Sequence, residues 1–368
     1  MQYHLLERQA AHKDGLVSIL RLVTIISCFL VLLSACKSVE SPIPVTPIDE
    51  CKTTDMQQGI AYTSWGQGEY SLPEAKESLT NLKATCANWI SLLVTYYQET
   101  IDSTDIVALD VTPTDADLRI AIQEAHQLGL KVMLKPHINL SNDLPEHWKG
   151  MIGQNFSEVD WQNWFSSYRS FIIRYAKLAE AYKVEQFSVG TELSFAAVNR
   201  SADWRKIVNA VRDVYSGELI YAANHSGEEL SVSWWDAVDL IGVDAYYTLL
   251  DKNDPTVAEL THAWQPIVQN LEELSMKFNR PVVLTEIGYR SVDGTVTAPW
   301  DFYVDSALDL QEQVDAYEAV FESFYNEPWV RGFYWWNWSP SLDSGGSEDK
   351  SYTPYGKPAE EVLKRWFK

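Results

Sequence analysis

Cationic side chains are scarce along these 368 residues: 29 Lys and Arg stand against 51 Asp and Glu, a formal charge of −22 at neutral pH. Nucleic-acid binding depends on a cationic surface that releases counterions from phosphates, so the sequence excludes nucleic acid as a partner. Cysteine is sparse as well, with four residues, and no Cys/His spacing suits a metal site. There is no internal repeat of fixed short period and no low-complexity tract after residue 57. With 46% hydrophobic and 22% charged residues, the chain is globular in composition. Its length suits one large core, and α/β barrels reach this size as one domain.

Long hydrophobic runs are also missing, with one exception near the front. Residues 22–35, LVTIISCFLVLLSA, follow Lys13 and Arg21 and close on small residues, the layout of an export signal. The run is short for a permanent membrane span. Its end, Leu33-Ser34-Ala35-Cys36, resembles the lipobox of bacterial lipoproteins. That resemblance implies export, loss of residues 1–35, and acylation of Cys36 as a lipid anchor in a bacterial membrane, facing the periplasm or the cell surface. Residues 36–57, with Pro42, Pro44 and Pro47 among polar side chains, cannot build a core and read as a tether. Residues 58–368 remain as a single domain. Cys51 and Cys86 are the cysteines left over; an oxidising compartment permits a bridge between them, and two free thiols fit equally well, because spacing alone does not set their distance.

Aromatic residues, by contrast, are abundant: 15 Trp and 19 Tyr. Most such rings pack a core, while a few exposed ones offer flat apolar faces that stack on the C–H faces of sugars. From residue 58 onward, short β-rich apolar runs alternate with segments of helical period, the pattern of parallel strands joined by helices. The predicted strands are 59–62, 89–95, 131–135, 186–190, 219–222, 240–245, 282–285 and 332–336. Between them, Leu118, Ile122, Ala125 and Leu128 recur at helical spacing, as do Trp161, Phe165, Tyr168, Ile172, Tyr175 and Ala179, and Thr114-Asp115 supplies a helix start. A doubly wound sheet also alternates, but eight strands favour an α/β fold of the (β/α)8 TIM-barrel type.

Chemistry in such barrels sits at the carboxyl ends of the strands. Glu192 closes the fourth strand in Val189-Gly190-Thr191-Glu192-Leu193, and Glu286 closes the seventh in Leu284-Thr285-Glu286-Ile287-Gly288. A carboxylate ending an apolar strand loses hydration and needs hydrogen bonds or a proton in return. One such residue is ordinarily half of a salt bridge; two, on strands that face each other across a barrel mouth, suit glycoside hydrolysis. Retaining glycosidases hold two carboxyls about 5–5.5 Å apart, one to attack and one to donate a proton. The attacking group stays ionised, for which Tyr246 and Arg290 are candidate partners of Glu286, while burial and its charged neighbour keep the other protonated.

The ordered set of motifs resembles glycoside hydrolase family 113, the β-mannanases of clan A. It comprises Ala87-Asn88-Trp89-Ile90, the run from Gly129 through Lys135-Pro136-His137, Trp148-Lys149-Gly150, the two glutamate segments, Tyr221-Ala222-Ala223-Asn224, the run from Asp239 through Asp244-Ala245-Tyr246, Tyr289-Arg290-Ser291 and Trp335-Trp336-Asn337-Trp338. The resemblance covers residue 58 to the end. It implies β-1,4-mannan or manno-oligosaccharide as substrate, retention of configuration, no metal or organic cofactor, and internal cleavage by a monomer. Glu192 takes the proton donor's place and Glu286 the nucleophile's, with Tyr246 steadying Glu286 and Trp336 flooring a sugar subsite. Two positions depart from the pattern. Thr191 stands where many clan A enzymes have Asn against the sugar 2-hydroxyl, leaving Asn224 as a substitute donor, and Lys149 stands where Arg is expected.

Other strand-end residues have two readings each. His137 either binds sugar hydroxyls or packs under a loop. Trp65 and Trp148 are either platforms for more distant sugars or loop packing. Asp244 either orients Tyr246 or Arg290, or pairs with a basic neighbour, and Arg290 either binds sugar or serves the structure where it does not support Glu286. An exo-acting mannosidase, a glucanase or xylanase, and a catalytically silent glycan-binding lipoprotein are the competing functions.

Overall fold

The computed structural model describes residues 51–368, apart from 143 and 145; the expected export signal, Cys36 and residues 36–50 of the expected tether lie outside the described residues. Residues 51–57, expected as the end of the tether, belong instead to the folded domain, because Cys51 is disulfide-bonded, Met56 packs on the core and Gln57 opens the first strand. Eight parallel strands close into a barrel in sequence order: β1 (Gln57–Tyr62), β2 (Trp89–Gln98), β3 (Lys131–Leu140), β4 (Gln186–Thr191), β5 (Glu218–Asn224), β6 (Leu240–Asp244), β7 (Val282–Ile287) and β8 (Val330–Trp338), the last pairing with the first. The helices are α1 (Ala75–Lys83) after β1, α2 (Asp115–Gln127) after β2, α3 (Glu158–Ala181) after β3, and α4 (Ser194–Asn199) with α5 (Ser201–Arg212) after β4. They continue with α6 (Glu228–Ser231) after β5, α7 (Val257–Phe278) after β6, α8 (Leu310–Phe324) after β7 and α9 (Pro358–Phe367) after β8. No helix of the described residues is long and apolar enough to cross a membrane.

All eight predicted strands are present, and the differences lie at their ends. β2 and β3 run on to Gln98 and Leu140 because they pair in unbroken register from Trp89↔Lys131 to Gln98↔Leu140, so a polar residue such as Asn139 continues the ladder. Strands with both faces covered are buried throughout, as β1, β4, β6 and β7 are. In β7, Val283 belongs to a small cluster with Trp89, Met133, Ile220, Leu240 and Tyr334, drawn from six strands. Its neighbours Val282 and Leu284 join the larger core shared with the helices. That is the two-residue period of a barrel wall with one face inward and one outward.

Helix starts follow the local chemistry. Thr114 accepts from the Asp117 amide while Asp117 returns a bond to the Thr114 amide, and Ser157/Asp160 and Thr256/Glu259 repeat the arrangement at α3 and α7. Each box satisfies amides that a first helical turn leaves bare. On α3 the buried face holds Trp161, Trp164, Tyr168, Phe171, Ile172, Tyr175, Ala176 and Ala179; Phe165 is partly buried at its edge.

Cys51 and Cys86 form a disulfide, with Cα atoms 5.4 Å apart, so the bridged alternative holds. Cys86 precedes β2 and residue 51 precedes β1, so the bridge lies at the amino ends of the strands. The chain therefore enters the barrel on the face opposite the strands' carboxyl ends. On that carboxyl side, register shifts interrupt the ladders between Ser188 and Thr191, at Val243/Asp244 and between Leu284 and Ile287. Such irregularities re-aim side chains near barrel rims, and here they fall beside Glu192, Asp244 and Glu286.

Candidate active site

Glu286 sits within β7 and is 6% exposed. Its Oε1 accepts from the Lys135 ammonium at 2.5 Å and its Oε2 from the Tyr246 hydroxyl at 2.9 Å. Lys135, wholly buried on β3, also donates to Asp244 Oδ1 at 2.9 Å, which Thr285 Oγ1 meets at 2.7 Å. Burial disfavours the lysine's charge, but the two carboxylates outweigh it and raise its pKa. Burial, together with the Glu286 charge, pushes the Asp244 carboxyl well above its usual range against the pull of Lys135. Asp244 thus favours its protonated form, and Lys135 bridges it to Glu286. Burial and the Glu286 charge also push Tyr246 well up, so it remains a neutral donor.

Glu192 follows β4 directly, with φ at 54°, a left-handed conformation uncommon for a residue with a side chain. Its amide donates to the Ala222 carbonyl at 2.8 Å. Its carboxylate accepts from Asn224 Nδ2 at 2.7 Å and pairs with Lys149 Nζ at 2.8 Å. Burial alone would raise this carboxyl; the charge and hydrogen bond of Lys149, with the Asn224 amide, outweigh it and hold the pKa below the ordinary value. Behind it, Glu228 accepts from Ser194 Oγ at 2.6 Å, from the Asn224 amide at 2.8 Å and from the Tyr221 hydroxyl, which itself accepts from the Leu193 amide at 3.0 Å. This network fixes both the turn after Glu192 and its partner Asn224. Burial, opposed by these hydrogen bonds, pushes Glu228 up to about 7.

The two carboxylates share an electrostatic environment. Lys135, bonded to Glu286, also lowers the Glu192 pKa, and both glutamates act on Asp244. His137, 5% exposed on β3, has its Nε2 3.8 Å from Glu286 Oε1, and that nitrogen has no hydrogen-bond partner. Burial, then the charges of Lys149 and Lys135, hold its pKa well below the ordinary value, so the ring is neutral.

Aromatic rings border the site. Trp65 and Trp336, both half-buried, meet edge to face with centroids 6.2 Å apart. Trp148 is 39% exposed and lines a hollow of about 400 Å³ with Met151, Phe195 and Val198. The far edge of its ring packs against Gly150, where a Cβ would fall 2.2 Å from the indole, so any larger residue there would displace Trp148.

Four expectations need correction or choice. Burial and a charged neighbour do not keep Glu192 protonated here, because Lys149 and Asn224 outweigh burial and favour its ionised form. Arg290 does not support Glu286; it donates to the Val304 carbonyl at 2.5 Å. A four-residue spacing brings side chains together as a rule on a helix, whereas residues 288–290 are irregular. Asp244 pairs with a basic neighbour, Lys135, and does not orient Tyr246 or Arg290. Lys149 is an ion-pair partner of Glu192. Sequence reasoning passed over Lys135, although a lone cation inside a buried apolar strand must find a counter-charge, and over Glu228, whose partners become neighbours only on folding. Tyr62, Gln98, Tyr289 and Trp338 turn into the wall and are buried.

A closed parallel barrel with two enclosed strand-end carboxylates among aromatic rings has the makeup of a glycoside hydrolase. Residues 61–357 match the sequence model of Glycoside Hydrolase Family 113, and the chain belongs to that family. It is similar to the β-mannanase AaManA from Alicyclobacillus acidocaldarius, solved in complex with ManMIm: 33% identity, 88% of this chain and 99% of that one covered, TM-score 0.76. A family 113 β-1,4-mannanase solved as a complex is 29% identical, with 85% and 99% covered and a TM-score of 0.77. A β-glucuronidase from Ruminococcus gnavus, 14% identical with 85% and 51% covered and a TM-score of 0.58, shares the fold alone. No curated protein matches the chain.

Proposed function

We propose that this protein is a retaining endo-acting glycoside hydrolase that cleaves β-1,4-mannosidic bonds in mannan, glucomannan or manno-oligosaccharides. The observation that carries the reading is the unequal pair: Glu286 fixed by Lys135 and Tyr246, Glu192 held by Lys149 and Asn224, both at the same barrel mouth. The substrate is supported by the family 113 relatives, which are β-mannanases.

In the first step a Glu286 oxygen attacks the anomeric carbon while the glycosidic C–O bond breaks and Glu192 gives its proton to the leaving oxygen. The product is a glycosyl ester on Glu286. Glu192, now anionic, then takes a proton from water as that water attacks the same carbon, and Glu286 leaves as carboxylate. Esterification removes the Glu286 charge, which favours an ionised Glu192 for the second half. Lys149 favours that basic form too. For the first half Glu192 must gain a proton against Lys149, so a sugar hydroxyl that draws the ammonium away makes the acid available when substrate is bound. Tyr246 and Lys135 keep the nucleophile ionised and aimed. His137 Nε2 is a ready partner for a sugar hydroxyl, and Trp336 and Trp65 provide apolar faces for the ring.

We also propose that residues 1–35 are an export signal and that Cys36 carries the lipid, anchoring a monomer to a bacterial membrane through residues 36–50. Cys36→Ser should move the protein from the membrane to the soluble fraction, and an unchanged distribution would remove the anchor.

The activity is tested by incubating the protein with mannan, glucomannan, xylan and cellulose, sizing the products and following anomeric configuration by proton NMR. Internal cleavage of mannan with a first-formed β-anomer is expected. Mannan binding without release of reducing ends would replace the enzyme with a binding protein; single mannose units as sole product would make it exo-acting.

A further inference from the structure

Carboxylates outside the reaction converge on the side of β6 and β7. Asp254 lies between β6 and α7, Asp293 and Asp309 lie between β7 and α8, and Glu312 is in the first turn of α8. One carboxylate oxygen from each lies within 4.8 Å of the other three. Four like charges at this spacing repel strongly. The nearby cation Lys252 acts on Asp254, but its ammonium is committed to Glu259 at 2.8 Å.

Glu312 turns the cluster into more than a crowd of surface acids. It is 2% exposed. Its Oε2 accepts from the Gly294 amide at 2.8 Å and the Asp254 amide at 3.4 Å, whereas its Oε1 is buried with no hydrogen-bond partner. The Val296 amide also acts on this carboxyl, but a buried carboxylate oxygen without a hydrogen bond of normal geometry is a costly arrangement that needs an explanation. Three further carboxylates beside it aggravate the cost, and a cation answers both faults.

We infer that Asp254, Asp293, Asp309 and Glu312 bind a single calcium ion that joins the β6–α7 segment to the β7–α8 segment. The donors are all oxygens, which suits a hard divalent cation and not zinc or copper. Calcium accepts a cage built from protein carboxylates, whereas magnesium ordinarily keeps several waters, and oxygens within 4.8 Å of one another fit the roughly 4.6–5.2 Å between opposite calcium ligands. The ion fastens a segment that reaches the cleft. Trp300 from it stacks on His225 with centroids 5.4 Å apart, and the Pro299 carbonyl accepts from the Tyr352 hydroxyl at 2.6 Å. Tyr352 in turn meets the Tyr246 ring edge to face. Calcium therefore sets the stability of the cleft's rim and takes no part in bond cleavage.

The full chain, stripped with EDTA and dialysed, is titrated with calcium chloride by isothermal calorimetry, with magnesium chloride in parallel, and its melting is followed with and without calcium. One saturable calcium site is expected, with a Tm rise of about 5 °C at hundredfold excess over Kd. Glu312→Gln and Asp293→Asn should each weaken calcium binding by about tenfold or more, since each removes one ligand charge. In EDTA the same variants should melt at or above the wild-type temperature, because they relieve repulsion, and their calcium-dependent rise should shrink. Asp293 is partly exposed, so its variant carries the test if Glu312→Gln fails to fold. No saturable binding by the wild type, or variants that bind calcium as the wild type does, would overturn the site whatever the glycosidase assays show.

Discussion

The surroundings of Glu286 and Glu192 differ in where their cations come from. Glu286 is gripped by Lys135 on β3 and by Tyr246 just past β6, with Asp244 behind, and the Lys135 and Asp244 side chains are 0% exposed. Glu192 is held by Asn224 at the end of β5 and by Lys149, which comes from the β3–α3 connection and is partly open to solvent. A strand-borne, dehydrated lysine has no other partner to move to; a loop-borne one at the cleft has. That division suits a pair in which one carboxylate keeps its charge until it bonds and the other changes protonation in every half-cycle.

The largest expected effects test the division directly. Glu286→Ala should lower kcat on mannan by about 10⁴-fold or more, because the covalent path is lost. Glu192→Gln should lose about 10²–10⁴-fold on mannan yet little on aryl mannosides with good leaving groups. Equal losses on both substrates would remove Glu192 from the proton donor's role.

Next comes the buried side. Lys135→Met leaves the Asp244 and Glu286 carboxyls enclosed without a counter-charge, and such a break costs about 3–5 kcal/mol, measured by urea unfolding. Lys149→Met should cost less, since its pair borders the open cleft. A larger loss for Lys149→Met would invert the comparison.

The subtlest effect concerns pH. Lys149 lowers the Glu192 pKa, and the proposed first step needs Glu192 protonated, so activity should fall as pH rises through that pKa. Removing the lysine raises the pKa and should move the alkaline limb of kcat/KM to higher pH. A limb that stays in place in Lys149→Met would show that another group sets it.

Much of this was legible in the linear chain. Eight apolar runs could be counted because buried parallel strands are hydrophobic on both faces, and the strand-end rule then singled out Glu192, Glu286 and Tyr246. Arg290 misled because a short distance along the chain was taken for closeness in space, which holds on a helix and fails in an irregular turn. Lys149 stood out as a departure from the family pattern, but its partner, 43 positions away, could not be read. Lys135 meets Asp244 109 positions away and Glu286 151 positions away, and the acids of the proposed calcium site lie on two separate loops.

Hydrophobic period, strand count and the residues ending each strand were therefore set by the amino-acid order alone, since burial of alternating or continuous apolar runs is a local property of the chain. Which cation answers which carboxylate was decided by barrel closure, because Coulomb attraction and hydrogen bonding act over a few ångströms and only the closed register brings residues so distant in sequence within that range.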